Sequence, residues 1–235
     1  MQHYDILIAT PGINFEVQYI KSLVKTLEEC NKRGLTYKWL NNYSSLVHHA
    51  RELTASGSED RILDPMQTKP GGNEITYNKI FWIDSDISWE TEDFFKLYDS
   101  EDDIVSGIYL LADGFQTSVH MFGENKCVSP LEILNKKDKI KVQSIGFGFV
   151  AIKSGVFEKI KRPWFSLRLV KVGESIDGED IVDSIGEDIS WCLKAKDAGF
   201  DCYLDPTVKV SHIKRVAISW NHIYAMAEGK IPAQK

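Results

Sequence analysis

Phe81-Trp82-Ile83-Asp84-Ser85-Asp86-Ile87 is the stretch that decides how this chain reads. With Lys79-Ile80 before it, a short apolar run of strand length ends on two carboxylates. A run apolar at successive positions suits a strand covered on both faces, as in sheets lying between helices. In open α/β sheets, ligands bind beyond the carboxyl ends of strands. Residues two apart on an extended chain point the same way, so Asp84 and Asp86 are expected to face one small volume. Carboxylates that close repel unless a divalent cation neutralises them. Oxygen ligands suit magnesium or manganese, which also bridge phosphate oxygens. The D-x-D spacing is also met in solvated turns, and its place behind so apolar a strand favours the metal site.

Upstream, Asp5 to Thr10 (DILIAT) reads as a buried strand ending at Pro11-Gly12. Asn14 is a candidate cap for the next helix. Ile20, Leu23, Val24 and Leu27 would form its apolar face, and Gly34 would stop it. Leu35 to Leu40 suggests a second strand, and a helix capped by Ser44 or Ser45 runs to about Ala55. Ser56 to Asn78 is polar and irregular, with Pro65, Pro70, Gly71 and Gly72, the pattern of a functional loop.

Downstream, a helix from Thr91 to Tyr98 and a strand from Asp103 to Tyr109 are expected. Residues 110 to 143 read as one or two hairpins, with a charged turn near Lys136-Lys137-Asp138. Phe149 to Ile152 reads as a strand and Ser154 to Ile160 as a short helix. Pro163-Trp164-Phe165 opens an acidic loop to Gly186. A helix follows from Glu187 to Ala198, closed by Gly199, and a last strand covers about Val208 to His212. The order favours an α/β fold, with a mixed, mostly parallel central sheet flanked by helices. Residues 1–215 are expected to form a single catalytic domain. Residues 216–235 form a tail with helical pattern around Ser219 to Glu228.

Composition narrows the class. The 235 residues suit one sizeable domain. A net charge of −6 argues against nucleic acid as the main partner. No stretch approaches the roughly 18 apolar residues of a membrane span, and Met1-Gln2-His3-Tyr4-Asp5 lacks the pattern of a signal peptide. Cys30, Cys127, Cys192 and Cys202 have no C-x-x-C or zinc spacing and read as reduced packing residues. A cytoplasmic location is the expectation.

Three further signals carry chemistry. Gly186-Glu187-Asp188 opens a helix, where acids suit the positive end of the helix dipole. Ile189, Trp191, Cys192 and Leu193 nevertheless mark that helix as buried, and a carboxylate at its start is suited to take a proton from a hydroxyl nucleophile. His212 ends an apolar strand. A lone histidine there is commonly structural, but beside two aspartates it becomes a candidate third metal ligand. Lys214 and Arg215 follow, suited to a diphosphate. Ser144-Ile145-Gly146-Phe147-Gly148-Phe149 lacks the dinucleotide fingerprint, though its glycines permit close backbone approach to a ligand, or else mark a bulge.

Together these pieces resemble the GT-A glycosyltransferases of the nucleotide-diphospho-sugar transferase superfamily. The shared order is a D-x-D motif (Asp84-Ser85-Asp86), a glycine loop before a strand (Ser144 to Phe149), an x-E-D motif opening a helix (Gly186-Glu187-Asp188) and a late histidine (His212). Glu187 to His212 and Phe81 to Tyr109 are similar to the family throughout. The first strand, helix and second strand, with Ser44, Ser45, Ala50 and Arg51, are similar more loosely.

The resemblance implies a GT-A fold and a metal-dependent transferase of hexosyltransferase type, probing a UDP- or GDP-linked sugar donor with manganese or magnesium as cofactor. It implies Asp86 and His212 as metal ligands, with Asp84 supporting the metal and contacting the ribose or donor sugar. Asp188 would be the base of an inverting reaction, Glu187 would orient a sugar, and Thr10, Pro11 and Arg51 would line the nucleotide pocket, with Lys214 near the phosphates. The acceptor could be a glycan, a lipid-linked sugar or a protein. Ser56–Asn78 is longer than the family's connection, Pro11–Asn14 holds no basic residue, and Trp164 is either an acceptor platform or core. A sugar-nucleotide nucleotidyltransferase would need a glycine-rich basic loop after the first strand, whereas the first basic residue after Thr10 is Lys21. A non-catalytic nucleotide- or sugar-binding module of the same fold is the other rival.

Overall fold

The computed structural model describes residues 1–60, 63–122 and 127–215. The tail expected to be helical, 216–235, lies outside the described residues. The chain runs β1 (Gln2–Pro11), α1 (Val17–Lys32), β2 (Tyr37–Asn42), α2 (Val47–Ser56), β3 (Ile75–Ile83), β4 (Ile87–Ser88), α3 (Thr91–Tyr98) and β5 (Ile104–Ile108). There follow β6 (Val119–His120), α4 (Pro130–Ile133), β7 (Ile140–Val142), β8 (Ser144–Ile145), β9 (Phe149–Lys153) and α5 (Val156–Lys159). The last elements are β10 (Arg168–Glu174), β11 (Asp180–Ile185), α6 (Glu187–Asp197), β12 (Cys202–Lys209) and β13 (Ser211–His212).

Seven strands form the main sheet, in the order β2-β1-β3-β9-β5-β12-β7. β1 is parallel to β2 and β3, and β12 to β5. β9 runs against both β3 and β5, and β7 runs against β12. The sheet is therefore mixed and largely parallel, with β9 inserted head to tail at its centre.

β3 explains why so apolar a run is needed there. Ile80, Phe81, Trp82 and Ile83 are fully buried, and successive side chains enter opposite layers. Trp82 meets Phe147 and Phe165 on one face. Phe81 stacks on Phe94 of α3 on the other, with ring centroids 3.9 Å apart. Trp164 belongs to the first of these layers: it is fully buried, and its indole N–H donates to Phe157 and Ile160 carbonyls. It is core and not an exposed sugar platform.

Several boundaries differ from the sequence expectation, each for a local reason. α1 is entered from Glu16 without a side-chain cap, so Asn14 does not cap it. Its buried face is Tyr19, Ser22, Leu23, Thr26 and Cys30, while Ile20 and Val24 are exposed. Polar residues turn inward because Trp89 needs partners. Thr26 Oγ1 accepts the Trp89 indole N–H at 2.9 Å, and Ser22 Oγ bonds the Trp89 backbone N–H and carbonyl. The acidic stretch after Phe165 is not a loop but the antiparallel hairpin β10–β11. Between residues 110 and 143, the antiparallel bridges Leu110–Thr117 and His120–Cys127 are hairpin contacts, while β6 pairs with β8 and β7 joins the main sheet. The strand expected over Val208 to His212 is divided between β12, which begins at Cys202 and ends at Lys209, and β13. The polar segment after α2 is tied down: the Gln67 amide donates to Ala55, Ser56 and Lys69 carbonyls.

The inward turn of α1 yields a test. Thr26→Val is nearly isosteric but leaves the buried Trp89 N–H without an acceptor. A loss of about 1–3 kcal/mol in urea unfolding is expected, and an unchanged midpoint would show that the indole finds another partner.

Candidate active site

The carboxyl ends of β1 and β3, the start of α6 and the strand β13 meet at one edge of the sheet. They enclose a cavity of ≈ 700 Å³. Its lining includes Pro11, Arg51, Asp84, Asp86, Glu187, Asp188, His212 and Lys214. These come from segments far apart in sequence, and they comprise every candidate residue except Thr10. Thr10 lies beneath the floor. Its hydroxyl bonds Tyr19 at 2.5 Å and accepts the Trp39 indole N–H at 3.3 Å.

The two aspartates of the D-x-D motif share the cavity but serve different partners. Ile87 N–H returns to the Asp84 carbonyl at 3.0 Å, closing a turn that replaces the extended chain assumed from the spacing. Asp84 then faces Arg51: Nη2 donates to Oδ2 at 3.3 Å, and Nη1 stands 3.1 Å from Oδ1. Arg51 Nε donates to Glu187 Oε1 at 3.0 Å. Arg51 is 3% exposed, and its Nη1 has no hydrogen-bond partner. Burial opposes the guanidinium charge, but Asp84 and Glu187 outweigh it and hold Arg51 above its ordinary range. Burial also raises the Asp84 carboxyl, with Arg51 pulling the other way.

Asp86 takes other partners. β4 and β13 pair antiparallel, with Ser211 opposite Ser88 and His212 opposite Ile87. Ile213 N–H donates to the Asp86 carbonyl at 2.7 Å. This clamp sets His212 Nε2 at 3.2 Å and Lys214 Nζ at 2.7 Å from the same oxygen, Asp86 Oδ2. Burial would raise the Asp86 carboxyl, but the bonds from His212 and Lys214 prevail and hold it at about 2.

His212 Nδ1 lies 2.8 Å from the Leu110 carbonyl. A carbonyl can only accept, so Nδ1 carries one proton; burial lowers the imidazole, but the Asp86 bond prevails and raises it, favouring a second proton on Nε2 without which that lone pair would face Asp86. A lone pair against a carboxylate oxygen repels unless a proton or a cation stands between them. That donor set, one imidazole nitrogen and one carboxylate oxygen, fits manganese or magnesium. Among the described residues, no group of three His, Cys, Asp or Glu side chains is close enough to hold a metal by itself. The remaining positions would fall to phosphate oxygens and water, the usual arrangement for such ions.

At the start of α6, Glu187 is drawn under Arg51, while the Asp188 Oδ1 accepts the Ile189 N–H at 2.8 Å. Burial, then the neighbouring Glu187 charge, raise the Asp188 carboxyl. The glycine loop makes its close approach to Tyr109 and not to the cavity: Gly148 N–H donates to the Tyr109 hydroxyl at 3.1 Å.

Two cavity residues escaped the sequence reading. Glu16 pairs with Arg215 at 3.0 Å, a contact between chain regions that no local pattern links. Tyr109 directly follows β5 and lies edge-on to the His212 ring. Its place at a strand's carboxyl end, like that of Asp84, was the available signal.

No protein-family model matches the chain, and no curated protein matches it in sequence. Solved structures do. A197 from STIV is 18% identical, with 93% of this chain and 99% of that one covered, at a TM-score of 0.50. The catalytic domain of Drosophila β1,4-galactosyltransferase 7, in complex with xylobiose, is 10% identical over 94% of this chain and 73% of that one, at 0.48. The inositol-1-phosphate CTP transferase from T. maritima is 14% identical over 100% and 98%, at 0.42. The chain has a GT-A-like fold, a mixed and largely parallel seven-stranded sheet flanked by helices. Likeness at these identities reaches the fold and does not decide an activity. Among the described residues no helix is long and apolar enough to cross a membrane.

Removing the buried guanidinium would leave Asp84 and Glu187 without their common cation. Arg51→Met is expected to lose about 3–5 kcal/mol in urea unfolding, and a loss below about 1 kcal/mol would mean that the carboxylates are neutral or solvated.

Proposed function

We propose that this chain is a metal-dependent glycosyltransferase that moves a sugar from a nucleoside-diphosphate donor, UDP- or GDP-linked, to an acceptor hydroxyl with inversion at the anomeric carbon. The observation that carries this reading is the charge of the cavity. Glu16, Asp84, Asp86, Glu187 and Asp188 line it, against the permanent cations Arg51, Lys214 and Arg215. Anionic walls repel a diphosphate, so its entry calls for a divalent cation to join the two. The Asp86–His212 pair supports that role, and manganese or magnesium bound there would offset charge growing on the departing nucleoside diphosphate.

The residues divide the work as follows. Lys214 is free to move from Asp86 to the phosphates, since it sits on the segment beyond the β4–β13 clamp and is partly exposed. Arg51 orients Asp84 and Glu187 through its hydrogen bonds, Asp84 toward the ribose or sugar and Glu187 behind it. Asp188 takes the acceptor's hydroxyl proton as that oxygen attacks the anomeric carbon and the nucleoside diphosphate leaves. The turn after β1 contributes Pro11, Gly12, Asn14 and Glu16 to the lining, none of them a cation. That speaks against a nucleotidyltransferase, whose triphosphate would need positive charge there. The acceptor, a glycan, lipid-linked sugar or protein, stays open within this reading. A cytoplasmic location rests on the sequence features given above.

A donor screen with Mn²⁺ tests the proposal. Release of nucleoside diphosphate from at least one UDP-, GDP- or dTDP-sugar is expected, abolished by EDTA and lowered about 100-fold or more by Asp86→Ala. Tight nucleotide binding with no turnover from any donor would leave a binding module instead.

The base role is tested separately. Asp188→Asn is expected to lower transfer to an acceptor by about 10²–10⁴. A base must be deprotonated, so transfer should rise with pH through a midpoint above the ordinary carboxyl value of 3.8. A rate falling with pH over that range contradicts the assignment.

A further inference from the structure

Tyr109 touches both halves of the proposed metal site without holding a charge. Its ring meets His212 edge-on, with centroids 5.2 Å apart and planes at 77°. Its hydroxyl accepts the Gly148 N–H at 3.1 Å. The carbonyl of the same Gly148 accepts the Asp84 N–H at 3.1 Å, so the hydroxyl is one residue removed from the D-x-D turn. The loop is built for this contact. A Cβ on Gly148 would lie 2.6 Å from Tyr109 Cζ, and one on Gly146 would strike the hydroxyl itself. Tyr109 is 7% exposed and lines the cavity with Asp84, Asp188 and His212. Burial, then the charges of Asp84 and Asp188, raise its phenol, so it remains neutral.

We infer that Tyr109 is a positioning residue: its ring fixes the His212 imidazole for metal binding, and its hydroxyl fixes the Gly146–Gly148 loop beneath the D-x-D turn. The inference rests on the metal-dependent reading above. The His212 ring has two restraints, the Leu110 carbonyl at Nδ1 and the Tyr109 ring. The carbonyl fixes the tautomer but leaves rotation about the hydrogen bond, which the aromatic wall blocks. Groups that orient a ligating histidine typically contribute 10- to 100-fold to metal affinity.

The ring and the hydroxyl separate experimentally. Mn²⁺ alone is titrated calorimetrically into the full-length wild type, Tyr109→Phe and Tyr109→Leu, with circular dichroism to confirm folding. Tyr109→Phe keeps the ring and is expected to bind Mn²⁺ within about threefold of wild type. Tyr109→Leu is expected to bind about 10- to 100-fold more weakly. In donor hydrolysis, Tyr109→Phe is expected to raise the donor KM about fivefold, the worth of one ordinary hydrogen bond.

A folded Tyr109→Leu that binds Mn²⁺ like wild type overturns the inference, as does a Tyr109→Phe with an unchanged donor KM. Should Tyr109→Leu not fold, Tyr109→Phe decides: with the ring kept, Mn²⁺ binding within about threefold of wild type is expected, and a loss of about tenfold or more refutes the ring's role. A wild type that takes up no Mn²⁺ overturns the metal reading and this inference together. Wild-type uptake beside undiminished uptake by Tyr109→Leu overturns this inference alone.

Discussion

Carboxylates repel, and this sheet brings four of them, Asp84, Asp86, Glu187 and Asp188, to one edge. The arrangement depends on Arg51, whose guanidinium lies buried between Asp84 and Glu187. Like charges at such separation would drive protons onto the carboxyls or push the chain segments apart. One delocalised cation with several donors can serve two acids at once, which a lysine ammonium does less well. Aromatic faces reinforce the placement: the guanidinium carbon lies 5.5 Å from the centroid of Phe147 and 5.9 Å from that of Trp82. The apolar layer under β3 thus also seats the charge that holds the site together.

That constraint sorts the acids by task. Asp84 and Glu187 are tied to a permanent cation inside the protein and lose freedom to ligate anything else tightly. Asp86 is held by Lys214, which is partly exposed, and by an imidazole whose second nitrogen is engaged. A cation entering the cavity therefore finds Asp86 the easier partner to win. Asp188 is tied only to a backbone N–H of its own helix, with a carboxyl raised by burial and by Glu187. It is the acid best suited to exchange a proton.

How much of this was legible in the sequence follows from range. The end of β3, Ile80 to Ile83, could be read because both its faces are core, so no polar residue interrupts it. The start of α6 and the end at His212 could be read because charge follows directly on apolar periodicity. The α1 face misread by one position shows the limit. Ser22 and Thr26 look solvent-facing until Trp89, 63 residues beyond Thr26, supplies the buried partner. The hairpin β10–β11 was hidden for the opposite reason. β11 is exposed nearly throughout and β10 is at most half-buried, so neither strand carries a buried apolar face to detect. Glu16–Arg215 and Tyr109–His212 are pairings across the fold, which local patterns do not encode.

The turn at Asp84–Ile87 shows why a correct motif can carry a wrong geometry. On an extended strand, positions two apart share a face, and both aspartates would have met one cation. The chain instead bends after β3, because β4 must leave the sheet to pair with β13. The bend turns Asp84 to Arg51 and Asp86 to His212 and Lys214, so two acids of one motif take different partners within one cavity.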